Sequence, residues 1–146
     1  MPSLNIAVKQ SEIRKLQRQL TGRGKEYEKA VKSEVHKAAL NIESKAKQNA
    51  TPVVDTGRLR ASIVAEIDQT RPSANVHTNV FYAPYIEFGT GRFAASYLAD
   101  KAKEIKAYAM EFYKNGKGRT MSHPFLLPAA DAERPRLIKA LRSIKP

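Results

Sequence analysis

A chain of 146 residues without cysteine has the length of one ordinary domain, able to bury about 70% of the surface its unfolded form exposes, and it excludes disulfides, thiolate metal sites and a cysteine nucleophile. Residues 1–10 hold no apolar run of signal-peptide length, and no segment approaches the ~20 apolar residues of a membrane span, which reads as a soluble protein, cytoplasmic at synthesis. The net charge of +12 sits at the two ends: residues 1–50 carry eleven Lys or Arg against five acids, residues 101–146 eleven against four, and the middle four against five, which fits electropositive terminal helices facing nucleic acid or an acidic protein.

Ser11, Glu12, Ile13, Leu16 and Leu20 predict a short capped amphipathic helix that stops at Gly22-Arg23-Gly24. A longer helix follows from Lys25 to about Asn49, where Tyr27, Val31, Val35, Ala38, Ile42 and Ala46 keep one apolar stripe at spacings of three and four. Thr51-Pro52 ends it, because the residue before proline is pushed out of the helical region. Asp55 or Thr56 is placed to cap a helical turn through Leu59 to Ser62. Residues 63–67 and Val76 to about Phe81 then read as two strands of an antiparallel hairpin, turning at Arg71-Pro72-Ser73-Ala74-Asn75.

The stretch from Phe81 to Gly91 is dense in aromatics and ends in glycines. Leu98, Ala102, Ile105, Ala109 and Phe112 share a face and predict one inserted helix from Tyr97 to about Tyr113, closed by Asn115-Gly116-Lys117-Gly118. The chain then extends through His123-Pro124-Phe125-Leu126-Leu127-Pro128 into a basic helix from about Ala130 to Ser143. Pro135 weakens that helix only if it lies beyond the first turn.

Asp55-Thr56-Gly57 has the letters of an aspartic-protease turn. Two such aspartates must share a proton, and the cations of Arg58 and Arg60 would instead favour the ionised form; helix capping is the better reading. His36, His77 and His123 stand at no metal-ligand spacing, and Gly116-Lys117-Gly118-Arg119-Thr120 lacks the spacing and preceding strand of a phosphate loop. No hydrolase elbow is present. These patterns predict neither an enzyme nor a cofactor or metal site. Arg14, Lys15, Arg18, Lys29 and Lys32 are candidates for neutralising phosphates, without any zipper, zinc-finger or helix-turn-helix signature.

Three segments in order carry a resemblance: Thr51-Pro52-Val53-Val54-Asp55-Thr56-Gly57-Arg58-Leu59-Arg60-Ala61-Ser62-Ile63, Thr78 to Thr90 with Tyr82-Ala83-Pro84-Tyr85-Ile86-Glu87-Phe88-Gly89 at its centre, and Pro124-Phe125-Leu126-Leu127-Pro128-Ala129. They resemble the tail-completion, or head–tail joining, proteins of long-tailed bacteriophages, whose pattern is a long helix, TPVDTGRLRxSI, a hairpin, YAxYxEFGT, and PFLxPA before a final helix. Val54 is an extra residue in the first motif, and the segment from Gly91 to Ser122 is longer than the family's usual spacing.

The resemblance implies a small α+β domain in which a twisted antiparallel sheet packs against the long N-terminal helix, with an inserted helix and a C-terminal helix. Residues 1–146 would be a single domain, with 1–24 an N-terminal extension and 92–120 a helical insertion. It further implies a structural virion protein, made in the host cytoplasm, whose copies form a ring, usually a hexamer. That ring would join the tail tube or tail terminator to the connector below the head and leave a channel for DNA. In this light Arg58, Arg60, Tyr82, Tyr85, Glu87 and Phe88 are expected at ring or partner interfaces, with Arg58 and Glu87 pairing. Asp55, Gly57, Gly89 and Pro124 are expected to shape turns. The bland alternative for the aromatics is that they fill the core beneath the hairpin. The rival function is a nonspecific nucleic-acid-binding protein using the basic terminal helices.

Overall fold

A computed structural model of the chain describes residues 4–7, 11, 14, 24–52, 57–110 and 118–144. Within them run β1 (Leu4–Ala7), α1 (Lys25–Ala50), α2 (Arg58–Ser62), β2 (Val64–Ile67), β3 (Ala74–Thr78), α3 (Ala83–Phe88), α4 (Gly91–Leu98), α5 (Lys103–Met110) and α6 (Leu126–Ser143). The fold is α+β. The helix expected between Ser11 and Leu20, apart from Ser11 and Arg14, lies outside the described residues, as do Asp55 and Thr56.

α1 forms where its stripe predicts. Val31, Val35, Ala38, Ala39, Ile42, Ala46 and Ala50 are all buried, a single face on a rod ~39 Å long. Glu26 and Glu28 lie in its first turn and Lys47 in its last, each sign at the end the helix dipole favours. The Thr51 hydroxyl closes the helix by donating to the Lys47 carbonyl at 3.0 Å.

The hairpin forms from β2 and β3, with Ala65 opposite Val76 and Ile67 opposite Ala74. Ala74, Val76 and Thr78 are buried while their neighbours are only half-covered, the period-two pattern of a sheet with one face on a core. Its turn is held by Asp68, whose carboxylate accepts from the Thr70 hydroxyl and amide, both at 2.8 Å, and from the Arg71 Nε at 2.9 Å. Those hydrogen bonds, Thr70 first and then Arg71, hold the Asp68 carboxyl well below the usual carboxylate range. β1, which the sequence does not announce, pairs antiparallel with β3 in the register Leu4 opposite Thr78 and Ile6 opposite Val76, giving the sheet order β1-β3-β2.

α1 is the spine onto which α2, the β2–β3 hairpin and α6 dock. Its Lys32 donates to the Gln69 carbonyl and His36 bonds the Asp68 carbonyl, both at 3.0 Å, so the hairpin turn is tied to the helix. Glu43 accepts the Ala65 amide at 2.8 Å on the outer edge of β2. A carboxylate there blunts an otherwise open sheet edge. α6 packs along α1 with opposite polarity: Asn49 donates to the Phe125 carbonyl at 3.1 Å, Asn41 to Glu133 at 3.0 Å, and Arg136 bridges Glu133 and Glu34.

Two expectations need correction. The inserted helix is two helices, α4 and α5, separated at Ala99–Ala102. There the Lys101 amide turns back to the Leu98 carbonyl, and the Lys106 side chain takes the Ala99 carbonyl. α4 also begins earlier than expected, just after Thr90. The final helix starts at Leu126 instead of near Ala130, because its first amides find an acceptor from elsewhere in the chain. Pro135 lies inside α6 on its exposed side, beyond the first turn where proline is tolerated without loss.

Candidate functional site

Side-chain hydrogen bonds bring the three recognisable segments together. Ser62, closing the first, lies with its hydroxyl 2.5 Å from that of Thr78 at the end of β3. Thr78 is completely buried and also takes the Val80 amide at 3.3 Å. The chain therefore leaves the sheet at a fixed angle into Phe81, Tyr82 and α3.

The second and third segments meet through Glu87. This carboxylate is fully buried and accepts the backbone amides of Phe125, Leu126 and Leu127 at 2.8, 2.9 and 3.0 Å, with the Tyr97 hydroxyl donating at 3.4 Å. A helix begins with amides that have no partner inside it, and negative charge at that end is favoured by the dipole. Glu87 thus caps α6 from about forty residues away. Burial pushes its carboxyl above the usual range, against the downward pull of the three amides. Burial, and then the nearby Glu87, push the Tyr97 hydroxyl up as well.

The loop between them is stitched by its backbone. His123 donates to the Ile86 carbonyl at 2.7 Å, the Ser122 hydroxyl to the Phe88 carbonyl at 2.7 Å, and Thr90 to the Thr120 carbonyl at 2.9 Å. Gly89 is required at this crossing. Its φ is +74°, and an added Cβ would stand 2.8 Å from both the Ser122 nitrogen and the Thr120 oxygen. Gly89→Ala is therefore expected to destabilise the chain by about 2 kcal/mol, combining a backbone conformation that only glycine adopts readily with overpacking. Thermal unfolding measures it, and an unchanged Tm would contradict the crossing.

Other expected site residues fall into two groups. Arg58 and Arg60 are exposed on α2, Tyr82 and Tyr85 are half-buried, and Phe88 is buried between the rings of Tyr97 and Tyr108 at centroid distances of 6.3 and 6.1 Å. No Arg58–Glu87 ion pair, expected within or between subunits, is present within the chain among the described residues. Glu87 has no exposed surface and its oxygens are engaged by α6, so its place, like that of Phe88, is the interior. Gly57 adopts φ +73° immediately before α2, and Pro124 lies half-buried just before α6. The sequence reading missed Phe81, which is 53% exposed and packs edge-on against Tyr82 at 5.4 Å; an aromatic directly after a strand was the available signal.

The histidines stay apart. His36 is on α1 and reaches the Asp68 carbonyl of the hairpin turn, His77 lies 3.1 Å from Glu66 on the sheet, and His123 precedes α6. Among the described residues no three His, Cys, Asp or Glu side chains gather as a metal site, and no helix is long and apolar enough to cross a membrane.

Fold and contacts together give an α+β architecture in which the most recognisable residues hold one unit together beneath an exposed fringe of arginine and aromatic side chains. The model of the HK97-gp10-like family, described as "Bacteriophage HK97-gp10, putative tail-component", matches residues 14–89. That is just over half of the chain, and the chain belongs to this family: it is a phage tail component, part of the virion and associated with other virion proteins. The match ends two residues after Glu87, so the cap belongs to the matched region and the helix it holds lies beyond. No curated protein and no solved structure matches the chain.

Proposed function

We propose that this tail component assembles with copies of itself into a hexameric ring at the head-proximal end of the tail, joins the tail tube or its terminator to the head connector, and leaves a channel through which DNA passes. The observation that supports this most is the exposed fringe over the buried unit. Arg58, Arg60 and Phe81 project from the two elements that meet at Ser62 and Thr78, with Tyr82 and Tyr85 half-covered behind. Aromatic and arginine side chains on a rigid base are the composition of interface hot spots. The chain acts in the ring as a single domain, with residues 92–120 inserted between the second and third motifs.

Phe81→Asp and Arg58→Glu test the ring. Both positions are exposed, so stability is expected to stay within about 0.5 kcal/mol of the parent, while phage carrying either variant lose ring assembly and the joining of heads to tails. Normal yields of joined particles from the two variants would remove this surface from the contact. A chain acting only as a nucleic-acid-binding protein would tolerate Phe81→Asp and keep its DNA affinity.

A further inference from the structure

We propose that the outward face of α6 is a contact surface for double-stranded DNA, taking the phosphate backbone without regard to sequence. The proposal rests on the tail-junction reading only for the source of the DNA. α6 turns Leu126, Ala130, Leu137 and Leu141 inward. On the opposite side Arg134, Lys139 and Arg142 are exposed around Pro135 and the half-buried Ile138, and these five residues line one shallow depression.

The charge on this side is surplus to the fold. Arg136, the inner cation, is neutralised by Glu133 and Glu34 where α6 meets α1. Arg134 pairs with Asp131 at 3.2 Å, while Lys139 and Arg142 have no ion pair among the described residues. From Arg134 to Arg142 the helix rises ~12 Å, a length over which duplex DNA presents about seven phosphates. One isoleucine and one proline give a protein partner little to anchor on, since interface cores are built on aromatic and large apolar side chains. Long basic side chains on a convex helix instead match a uniformly charged rod.

The test is fluorescence anisotropy of the full-length chain with a labelled duplex of about 20 base pairs, titrated between about 50 and 200 mM NaCl. Lys139→Glu combined with Arg142→Glu is expected to weaken binding at least tenfold at the lower salt. It should also reduce the slope of log affinity against log salt by about 1.8, two phosphate contacts at ~0.9 each. Lys139→Arg keeps the affinity. Lys37→Glu combined with Lys103→Glu, an equal change in net charge on α1 and α5, leaves both quantities as they were.

Equal loss in the two double variants, or no DNA binding by the parent, overturns the proposal. So does displacement of the duplex by polyglutamate as effectively as by unlabelled DNA, which would assign the face to an acidic protein. The tail-junction reading is tested separately by head–tail joining in phage lacking the chain. A chain needed for joining but indifferent to DNA overturns the α6 contact alone.

Discussion

Glu87→Ala is expected to lower the stability of the chain by about 3–5 kcal/mol, because three buried amides lose their acceptor at once and each orphaned donor costs ~1–3 kcal/mol before the helix end relaxes. On thermal unfolding the shift is on the order of 10 °C. Hydrogen exchange should localise it: the amides of Phe125, Leu126 and Leu127, which donate to this carboxylate, lose protection before those of α1. Glu87→Gln is expected to be milder, since it keeps one acceptor while turning an N–H₂ toward amides that are themselves donors. Burial holds the folded carboxyl above its ordinary range. Its contribution is therefore complete below the unfolded value of about 4.3 and declines as pH rises through the folded value. The stability margin of the parent over Glu87→Ala should accordingly narrow as pH rises across that window. Equal stability of parent and alanine variant would contradict the cap.

Phe125→Ala comes second, with an expected loss of about 3–5 kcal/mol from the cavity and the lost transfer energy of a fully buried ring. Among the described residues Phe125 is the largest of the fully buried side chains. Its backbone is held independently, the amide by Glu87 and the carbonyl by Asn49, so the truncation removes packing and little else. Phe125→Leu should cost about 1 kcal/mol, as volume-sparing swaps do. Urea unfolding with an unchanged m value measures both. Equal stability of the alanine and leucine variants would mean that the ring does not fill the junction between α1 and α6.

The parts of the fold legible in the sequence are those with a local cause. α1 follows from a stripe that repeats every three or four residues over 26 positions, and the hairpin from two apolar runs around a proline turn. The strand Leu4–Ala7 is four residues long, too short for a period, and its pairing with β3 is decided by tertiary contact. The start of α6 is set by a carboxylate 39 residues before the Leu126 amide that it accepts, so no capping residue appears beside it. The apolar positions from Leu98 to Phe112 suggested one helix because periodicity alone does not register a break whose carbonyl is taken by a lysine side chain.

Among the expected site residues, burial separates Glu87 and Phe88, which lie inside, from Arg58 and Arg60, which lie outside. A Glu beside two aromatics looks like an exposed partner for Arg58 on charge alone. Its role as a buried cap follows from α6, which folds back over it. Phe81 was passed over for the opposite reason: it reads as the end of a strand, and only the turn into α3 leaves it outside.

A role at the head–tail junction is tested by electron microscopy of lysates from a phage that carries the chain, with its gene deleted and then restored on a plasmid. Separate DNA-filled heads and free tails are expected in the deletion, with joined particles returning on complementation. Fully joined, infectious particles in the deletion would contradict a role at the head–tail junction.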